Sequence, residues 1–344
     1  MLRSVPKKTY GTEGYVYPVY GDFKYLKHAI ASVISLRRHD TERPVALVCE
    51  TKHRELLDKI GLTDLFDVIF PISPDHCSIV GFKHNFFEYM LFEKSMFLDC
   101  DMIWCKNPDP LWMSLDAYNF TITGTLTADS FFGGPKNFAV FRDLFLRRRA
   151  RTLKRFGLTY LSRVQSGVIY TKDFEISAKV CKLAGEMLSR KHETHFQSRT
   201  MEQGRTEESC EWSLAMAMSK LNLPVYPWMM GQESPQIDFI QDLTQYDPDF
   251  EYVRCKYYTI PFVYSLRGLP SVNVRKFFIK LFSIFPGRGD FMLVTPYILH
   301  FGWLHQKQPF YEFTERVWNR LKKERNIQHT QFDSHRLHIE NKSN

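Results

Sequence analysis

Asp99 and Asp101 stand at the end of the apolar run Met96-Phe97-Leu98 and directly before a second apolar triplet, Met102-Ile103-Trp104. A buried strand does not tolerate two unpaired charges, so these carboxylates need a compensating partner. Side chains alternate between the two faces of a strand, so an extended backbone would direct both carboxylates to one side. Carboxylate oxygens are ligands for hard cations. The pair therefore predicts a divalent metal site at a strand end.

Strand and helix patterns alternate in the chain before this site. Apolar and β-branched runs predict strands at residues 14–20, 44–49 and 65–71, and residues 95–104 form a fourth. Between the first two, apolar residues at helical spacing predict a helix over 25–38. This alternation predicts a parallel sheet with helices on both faces. The two aspartates would then lie at the carboxyl edge of the sheet, where open α/β sheets bind ligands.

Several segments after the acidic pair are also distinctive. The loop 128–135 is aromatic and glycine-rich, a composition typical of a mobile binding loop. A helix over 138–146 leads into the basic run 147–155, which could bind phosphate, although we favour a solvated charged face. The basic, apolar segment 274–285 predicts a helix. We favour a core helix with snorkelling lysines over an interfacial helix touching a membrane.

Composition narrows the class of protein. A chain of 344 residues that is 44% hydrophobic has enough apolar side chains for a sizeable core. Its formal net charge of +8 suggests anionic partners: a nucleotide, a lipid surface or a nucleic acid. Seven scattered cysteines without a C-x-x-C pair indicate free thiols. The N-terminal residues lack an apolar core segment, and we expect a cytoplasmic protein, with peripheral membrane contact as an alternative.

The order of these motifs resembles the nucleotide-sugar-dependent glycosyltransferases of the GT-A fold, in particular family 8, which includes glycogenin and bacterial galactosyltransferases. The similar elements are the helix that begins at Tyr25, Lys83, the Phe-Leu-Asp-Cys-Asp strand, the Ser-Gly-Val strand at Ser166 and a late His-x-Gly at His300. The resemblance implies an α/β, Rossmann-like fold with a mostly parallel central sheet flanked by helices and a C-terminal extension.

The resemblance also implies a division of the chain. Residues 10–310 would form the glycosyltransferase domain, with a nucleotide-binding half at 10–110 and a sugar and acceptor half at 111–310. A C-terminal helix and a loose polar tail would occupy 311–344.

The resemblance assigns the metal ligands. Asp99 and Asp101 would bind Mn²⁺ or Mg²⁺, and His300 would complete the protein ligands, with His305 as its competitor. A divalent ion neutralises the diphosphate that leaves during transfer. An imidazole ligand favours Mn²⁺ over Mg²⁺.

Two further sets of residues follow from the resemblance. Contacts to the nucleotide sugar are expected from Tyr15, Val16, Tyr20, Lys83, Ser166, Gly167, Gly302 and Lys307. Catalytic roles are expected among Gln165, Asp129, Glu208 and Glu211. Two departures leave the sugar open: Cys210 stands where the family has an aspartate, and the family's Lys-Pro-Trp appears only as the segment 307–310.

We therefore expect a metal-dependent transfer of a hexose from a nucleoside-diphosphate sugar, with UDP as the expected nucleotide. Retention is expected because the motif order is that of a retaining family. The acceptor stays open between a glycan, a lipid-linked sugar, a protein and a nucleic acid, and no obligate protein partner is inferred.

Two alternatives remain. A nucleotidyltransferase that makes sugar nucleotides would need a glycine-rich basic loop after the first strand, whereas residues 21–24 contain a single glycine. A non-catalytic nucleotide-sugar-binding module would use the acidic pair only as a structural turn.

Overall fold

The computed structural model describes residues 10–128, 132–134, 139–201, 207–258, 266, 269, 271–282, 284 and 290–328. Its strands are β1 Glu13–Val19, β2 Val45–Cys49, β3 Val68–Pro71, β4 Lys94–Leu98, β5 Met102–Trp104, β6 Phe120–Thr125, β7 Arg163–Thr171, β8 Tyr226–Pro227, β9 Gln236–Asp238, β10 Thr244–Tyr246, β11 Val253–Tyr258, β12 Phe291–Val294 and β13 Ile298–His300. Its helices are α1 Phe23–Arg37, α2 Thr51–Ile60, α3 Ile79–Lys83, α4 Asp109–Leu115, α5 Ala139–Phe145, α6 Arg148–Phe156, α7 Phe174–Ser189, α8 Glu211–Lys220, α9 Val272–Phe282 and α10 Gln308–Arg325.

The central sheet has seven strands in the order β3-β2-β1-β4-β7-β6-β8. Strand β7 runs antiparallel to both of its neighbours, and the other pairs are parallel. Strand β2 is buried at every position, which fits a strand covered on both faces. The predicted α/β class with a mostly parallel central sheet is therefore confirmed.

The core lies on both faces of this sheet. Along β1, Tyr15 and Tyr17 belong to one apolar cluster and Val16 belongs to another. The same alternation holds in β4, where Met96 and Phe97 belong to different clusters. A period of two in cluster membership is what side chains on opposite faces of a strand produce.

The acidic stretch differs from the single strand predicted for residues 95–104. Strand β4 ends at Leu98, and β5 belongs to a separate three-stranded sheet of order β5-β13-β9. The amide of Asp99 still donates to the carbonyl of Gly167 in β7, at 3.0 Å, but the chain then leaves the central sheet. The two carboxylates therefore lie in a bend between two sheets. At this position their charges are not buried within a strand of the central sheet.

The basic region and the late helix also differ from expectation. The helix predicted over 138–146 ends at Phe145, and Arg147, with φ of 50°, separates it from α6. Helix α9 is not simply a core helix: Arg275 is buried and bound to Asp242 at 2.6 Å, whereas Phe277 is 62% exposed.

Strands β10, β11 and β12 form an antiparallel sheet, and α10 packs on α1 through an ion pair between Lys27 and Glu315. All seven cysteines are free thiols. Within the described ranges, no helix combines the length and apolar character needed to cross a bilayer. The predicted polar tail lies outside the described residues from position 329 onward.

Candidate metal centre and adjoining cleft

Asp99, Asp101 and His300 form a cluster in which one potential ligand atom from each residue lies within 4.8 Å of the others. The pairing of β5 with β13 builds this cluster, because it sets His300 opposite Met102, the residue after Asp101. The amide of Phe301 also donates to the carbonyl of Asp101 at 3.0 Å. The three residues that the sequence predicted as ligands therefore come together, while His305 is exposed.

Each of the two carboxylates accepts a hydrogen bond from a lysine on one of its oxygens. The Nζ of Lys83 donates to Oδ1 of Asp99 at 2.8 Å and to the carbonyl of Ser166 at 2.6 Å. The Nζ of Lys307 donates to Oδ2 of Asp101 at 2.6 Å. The other Asp101 oxygen lies 3.7 Å from Nε2 of His300. Each carboxylate thus keeps a second oxygen for a cation, and carboxylate oxygens with one imidazole nitrogen suit Mn²⁺ or Mg²⁺.

The charges in this cluster favour an anionic ligand once a cation is present. Burial alone would raise the pKa of Asp101, but the charges of Lys307 and His300 lower that pKa to about 2. Burial alone would lower the pKa values of Lys83 and Lys307, yet the neighbouring carboxylates raise both. Two formal negative charges and two formal positive charges cancel. A bound divalent cation would therefore leave a net positive site.

A carboxylate that the sequence did not predict hydrogen-bonds to the His300 ring nitrogen that faces away from Asp101. Its Nδ1 lies 2.7 Å from Oδ1 of Asp238, and Asp238 is its register partner across β9 and β13. Burial would lower the pKa of His300, but the hydrogen bond to Asp238 and the charge of Asp101 raise that pKa to about 9. A histidine that donates one ring N–H to a carboxylate presents its other nitrogen to a metal in a fixed orientation.

Removing the charge of Asp238 tests this support. We expect Asp238→Asn to weaken Mn²⁺ affinity by roughly 10- to 100-fold, because outer carboxylates orient histidine ligands and raise their basicity. Titration of Mn²⁺ monitored by electron paramagnetic resonance measures the affinity, and Asp116→Asn, at a carboxylate paired with Lys94, serves as the control. Equal affinities for the parent and Asp238→Asn would contradict the supporting role.

Gly302 is explained by the space that the His300 ring occupies. A Cβ at Gly302 would lie 2.5 Å from Cε1 and 3.1 Å from Nδ1 of His300. Any side chain at this position would therefore collide with the imidazole, which gives the His-x-Gly motif a steric reason.

This collision predicts the effect of a single methyl group. We expect Gly302→Ala to displace the imidazole and weaken Mn²⁺ binding by about tenfold, as loss of ligand orientation does elsewhere. Gly185→Ala in α7 is the matched control, since a Cβ there meets no atom within 4 Å. The same titration measures both variants, and an unchanged affinity in Gly302→Ala would refute the steric explanation.

A cleft of about 260 Å³ opens beside the metal cluster. His300, Gly302 and Asp238 contribute to its lining, so the cleft and the cluster share a wall. Gln165 also lines it, and its amide nitrogen lies 2.7 Å from Nδ1 of His300. The remaining lining includes the rings of Trp228 and Trp303 and the charged side chains of Arg163, Arg199 and Glu211. Apolar rings with a few convergent polar groups are typical of a small-molecule site.

Of the predicted catalytic carboxylates, Glu211 faces this cleft. It begins α8, and burial raises its pKa, with the charge of Asp238 acting in the same direction and Arg199 and Arg163 acting against it. Glu208 is engaged elsewhere, because it accepts hydrogen bonds from Lys191, from Ser198 and from the amide of Arg199 at 3.2 Å. Asp129 lies outside the described residues.

The predicted nucleotide contacts in and just after β1 differ in how far they are exposed. The side chains of Tyr15 and Val16 are fully buried, and the Tyr15 hydroxyl donates to Asp40 at 2.7 Å. Their backbone is also covered, because β1 pairs with β2 on one side and β4 on the other, so neither residue is exposed to a ligand. Tyr20 follows the end of β1 and is half-buried, and burial together with the charge of Asp99 raises its pKa.

Ser166 and Gly167 support the acidic pair through their backbone. The Ser166 carbonyl accepts from Lys83, and the Gly167 carbonyl accepts from the amide of Asp99. A Cβ at Gly167 would lie 2.5 Å from Cε of Met102. This glycine therefore allows β7 to approach the start of β5 closely.

Comparison with known proteins gives only structural matches. No protein-family model matches the chain, and no curated protein matches it. The galactosyltransferase LgtC, solved with donor and acceptor sugar analogues, is similar at 11% identity and a TM-score of 0.47, over 94% of this chain and 98% of that one. The glycosyltransferase GlyE of Streptococcus pneumoniae TIGR4 is similar at 12% identity and a TM-score of 0.46, over 93% of this chain and 66% of that one.

Mouse xyloside xylosyltransferase 1 is similar at 14% identity and a TM-score of 0.43, over 67% of this chain and 88% of that one. All three of these proteins are glycosyltransferases. Similarity at this level does not carry an activity from one protein to another, so the function has to be inferred from the residues of the site.

Proposed function

We propose that this protein is a metal-dependent glycosyltransferase that transfers a hexose from a nucleoside-diphosphate sugar, with UDP as the expected nucleotide, to an acceptor with retention of configuration. The observation that carries the proposal is the arrangement of Asp99, Asp101 and His300 with a lysine on each carboxylate. Acidic ligands alone would suit a structural cation. Two added ammonium groups suit a cation that must share its site with a diphosphate.

The donor side of the proposed site acts through charge. Lys83 and Lys307 orient the two carboxylates and contribute positive charge beside the leaving diphosphate. Asp238 holds His300 so that Nε2 points toward Asp101. Mn²⁺ or Mg²⁺, when bound, supplies Lewis-acid neutralisation of the diphosphate. In this proposal residues 10–110 bind the nucleotide and residues 111–310 bind the sugar and the acceptor.

The cleft side of the proposed site receives the sugar and the acceptor. The aromatic rings of the cleft pack against the apolar face of a sugar ring, and Gln165 hydrogen-bonds its hydroxyls. The Glu211 carboxylate stabilises the positive charge that develops on the sugar as the bond to the diphosphate breaks. Retention follows the family resemblance, and nuclear magnetic resonance of the first anomer formed tests it.

A screen of nucleoside-diphosphate sugars for hydrolysis in the presence of Mn²⁺ tests the proposal. We expect one UDP-hexose to be consumed fastest, with loss of the reaction in a chelator and recovery when Mn²⁺ or Mg²⁺ is restored. Calorimetric titration with UDP and Mn²⁺ provides a readout that does not need turnover. No consumption of any donor, together with no heat from any nucleotide, would refute the proposal. Formation of a sugar nucleotide from a nucleoside triphosphate and a sugar phosphate would point to a nucleotidyltransferase instead.

A further inference from the structure

Helix α5 carries an exposed apolar face outside the metal centre and its cleft. Phe141, Leu144 and Phe145 are 65%, 50% and 88% exposed, respectively. Residues at positions i, i+3 and i+4 share one face of a helix, so these three side chains form a continuous patch. The next residue, Leu146, is also exposed. A folded protein rarely presents such large apolar side chains together to water without a binding role.

The chain that follows this patch is strongly basic. Positions 141–156 contain seven arginines and lysines and a single acidic residue, Asp143, which pairs with Arg148 at 3.1 Å. In α6 the buried residues Thr152 and Phe156 face the protein, whereas Arg151 and Lys154 are exposed. The positive charges of Arg151 and Lys154 therefore point toward solvent.

We propose that residues 141–155, which we call the α5–α6 surface, bind the anionic headgroups of a lipid bilayer. Phe145 and Leu144 would enter the boundary between headgroups and acyl chains, while Arg151 and Lys154 contact lipid phosphates. The proposed lipid binding is separate from the transferase activity, because the α5–α6 surface contains none of the metal-site or cleft residues.

The combination of apolar and basic groups favours a bilayer over other anionic partners. A nucleic acid would use the positive charge but would not require an apolar face with aliphatic Leu144 exposed. A second copy of this chain, related by a two-fold axis through this surface, would bring like charges together. A bilayer with anionic lipids satisfies both the charge and the apolar side chains.

Helix α9 offers a competing surface and a useful control. Phe277 is 62% exposed on it, near the exposed Lys276 and Lys280. Its third basic residue, Arg275, is buried against Asp242. With only these two exposed lysines, α9 has less charge to attract an anionic surface than the α5–α6 surface has.

The α5–α6 surface also lies close to the cleft along the chain. Gly134 lines the cleft, and α5 begins at Ala139. Five residues span at most about 18 Å when fully extended, so the start of α5 is within that distance of the cleft wall. On the proposed function, a bilayer docked here would bring a membrane-borne acceptor within reach.

Co-sedimentation of the full chain with vesicles tests the proposal. Vesicles of phosphatidylcholine alone are compared with vesicles that also contain phosphatidylglycerol. We expect binding only to the anionic vesicles. We expect Arg151→Glu with Lys154→Glu to weaken it by at least about 25-fold, since each basic side chain near such a surface contributes about a factor of five and glutamate adds repulsion. Leu144→Ser with Phe145→Ser should weaken it by about tenfold through lost apolar burial.

The matched control is Phe277→Ser with Lys276→Glu on α9, which should bind anionic vesicles as the parent does. Far-ultraviolet circular dichroism and the thermal midpoint establish that each variant is folded. Equal binding to both vesicle types, or loss of binding only in the α9 variant, would overturn the proposal. Stronger binding to single-stranded RNA than to anionic vesicles would also overturn it. So would a dimer of the parent protein that is lost in the variant with Leu144→Ser and Phe145→Ser. Because no substrate is present, these results are independent of the transferase proposal.

Discussion

Replacing Asp101 by asparagine is expected to lower metal-dependent turnover of the sugar nucleotide by about 10²- to 10³-fold, the usual cost of losing one group that stabilises developing charge. The substitution removes the carboxylate whose one oxygen faces Nε2 of His300 at 3.7 Å and whose other oxygen binds Lys307. Hydrolysis of the preferred donor over a range of Mn²⁺ concentrations measures the loss. A variant as active as the parent at every Mn²⁺ concentration would exclude Asp101 as a ligand.

The same substitution also leaves the Lys307 ammonium without its carboxylate, and that effect must be separated from metal binding. Asp101→Asn combined with Lys307→Met removes both charges of the pair. We expect the double variant to recover part of the stability lost in the single variant, because an unpaired buried charge is costlier than no charge. Its turnover should stay low. Recovery of turnover along with stability would mean that the aspartate acts only through folding.

Replacing Lys83 by methionine is expected to lower the free energy of unfolding by about 2–3 kcal/mol, since removing one partner of a buried ion pair leaves the other uncompensated. The Lys83 side chain is only 5% exposed, whereas that of Asp99 is 33% exposed, so water screens part of the loss. Urea denaturation with and without Mn²⁺ measures it. We expect Mn²⁺ to restore part of the stability, because the cation compensates the charge of Asp99 in place of the lysine.

Lys172→Met is the matched control for this experiment. Lys172 pairs with Asp116 at 3.3 Å on the surface, where water screens both charges and such a pair contributes little to stability. Similar losses in both variants, or a loss in Lys83→Met that Mn²⁺ does not change, would contradict the proposed position of Lys83 beside the cation.

The sequence was sufficient to predict the sheet and the three clustered residues. Apolar runs separated by helical patterns led to the parallel sheet, and the paired carboxylates stood out because charges are rare in such runs. His300 followed from the family resemblance, not from its local surroundings. The end of β4 at Leu98 was not predictable in the same way, because the apolar pattern resumes at Met102 and its period does not show that a second sheet begins.

The sequence did not predict the contact of Asp238 or the ion pairs of the two lysines, and the reason is different. The contact between Asp238 and His300 depends on the register of β9 against β13, which is a tertiary property. Lys83 and Lys307 were expected to contact the nucleotide sugar, and their ion pairs with Asp99 and Asp101 also arise from long-range packing. Tyr15 illustrates a further limit: in a strand covered on both faces, an aromatic pattern does not tell which side chains can reach a ligand.

The pairing of β5 with β13 links the proposed metal site to the stability of the fold. The chain between Asp101 and His300 contains every element from α4 to β12, and the cluster joins the two ends of this long segment. A cation held by both ends would be released when the chain unfolds, so it would stabilise the protein by binding the folded state. The size of this stabilisation grows with the logarithm of the ratio between the cation concentration and its dissociation constant. A cation bound at the proposed site would therefore couple the metal supply to the stability of this fold.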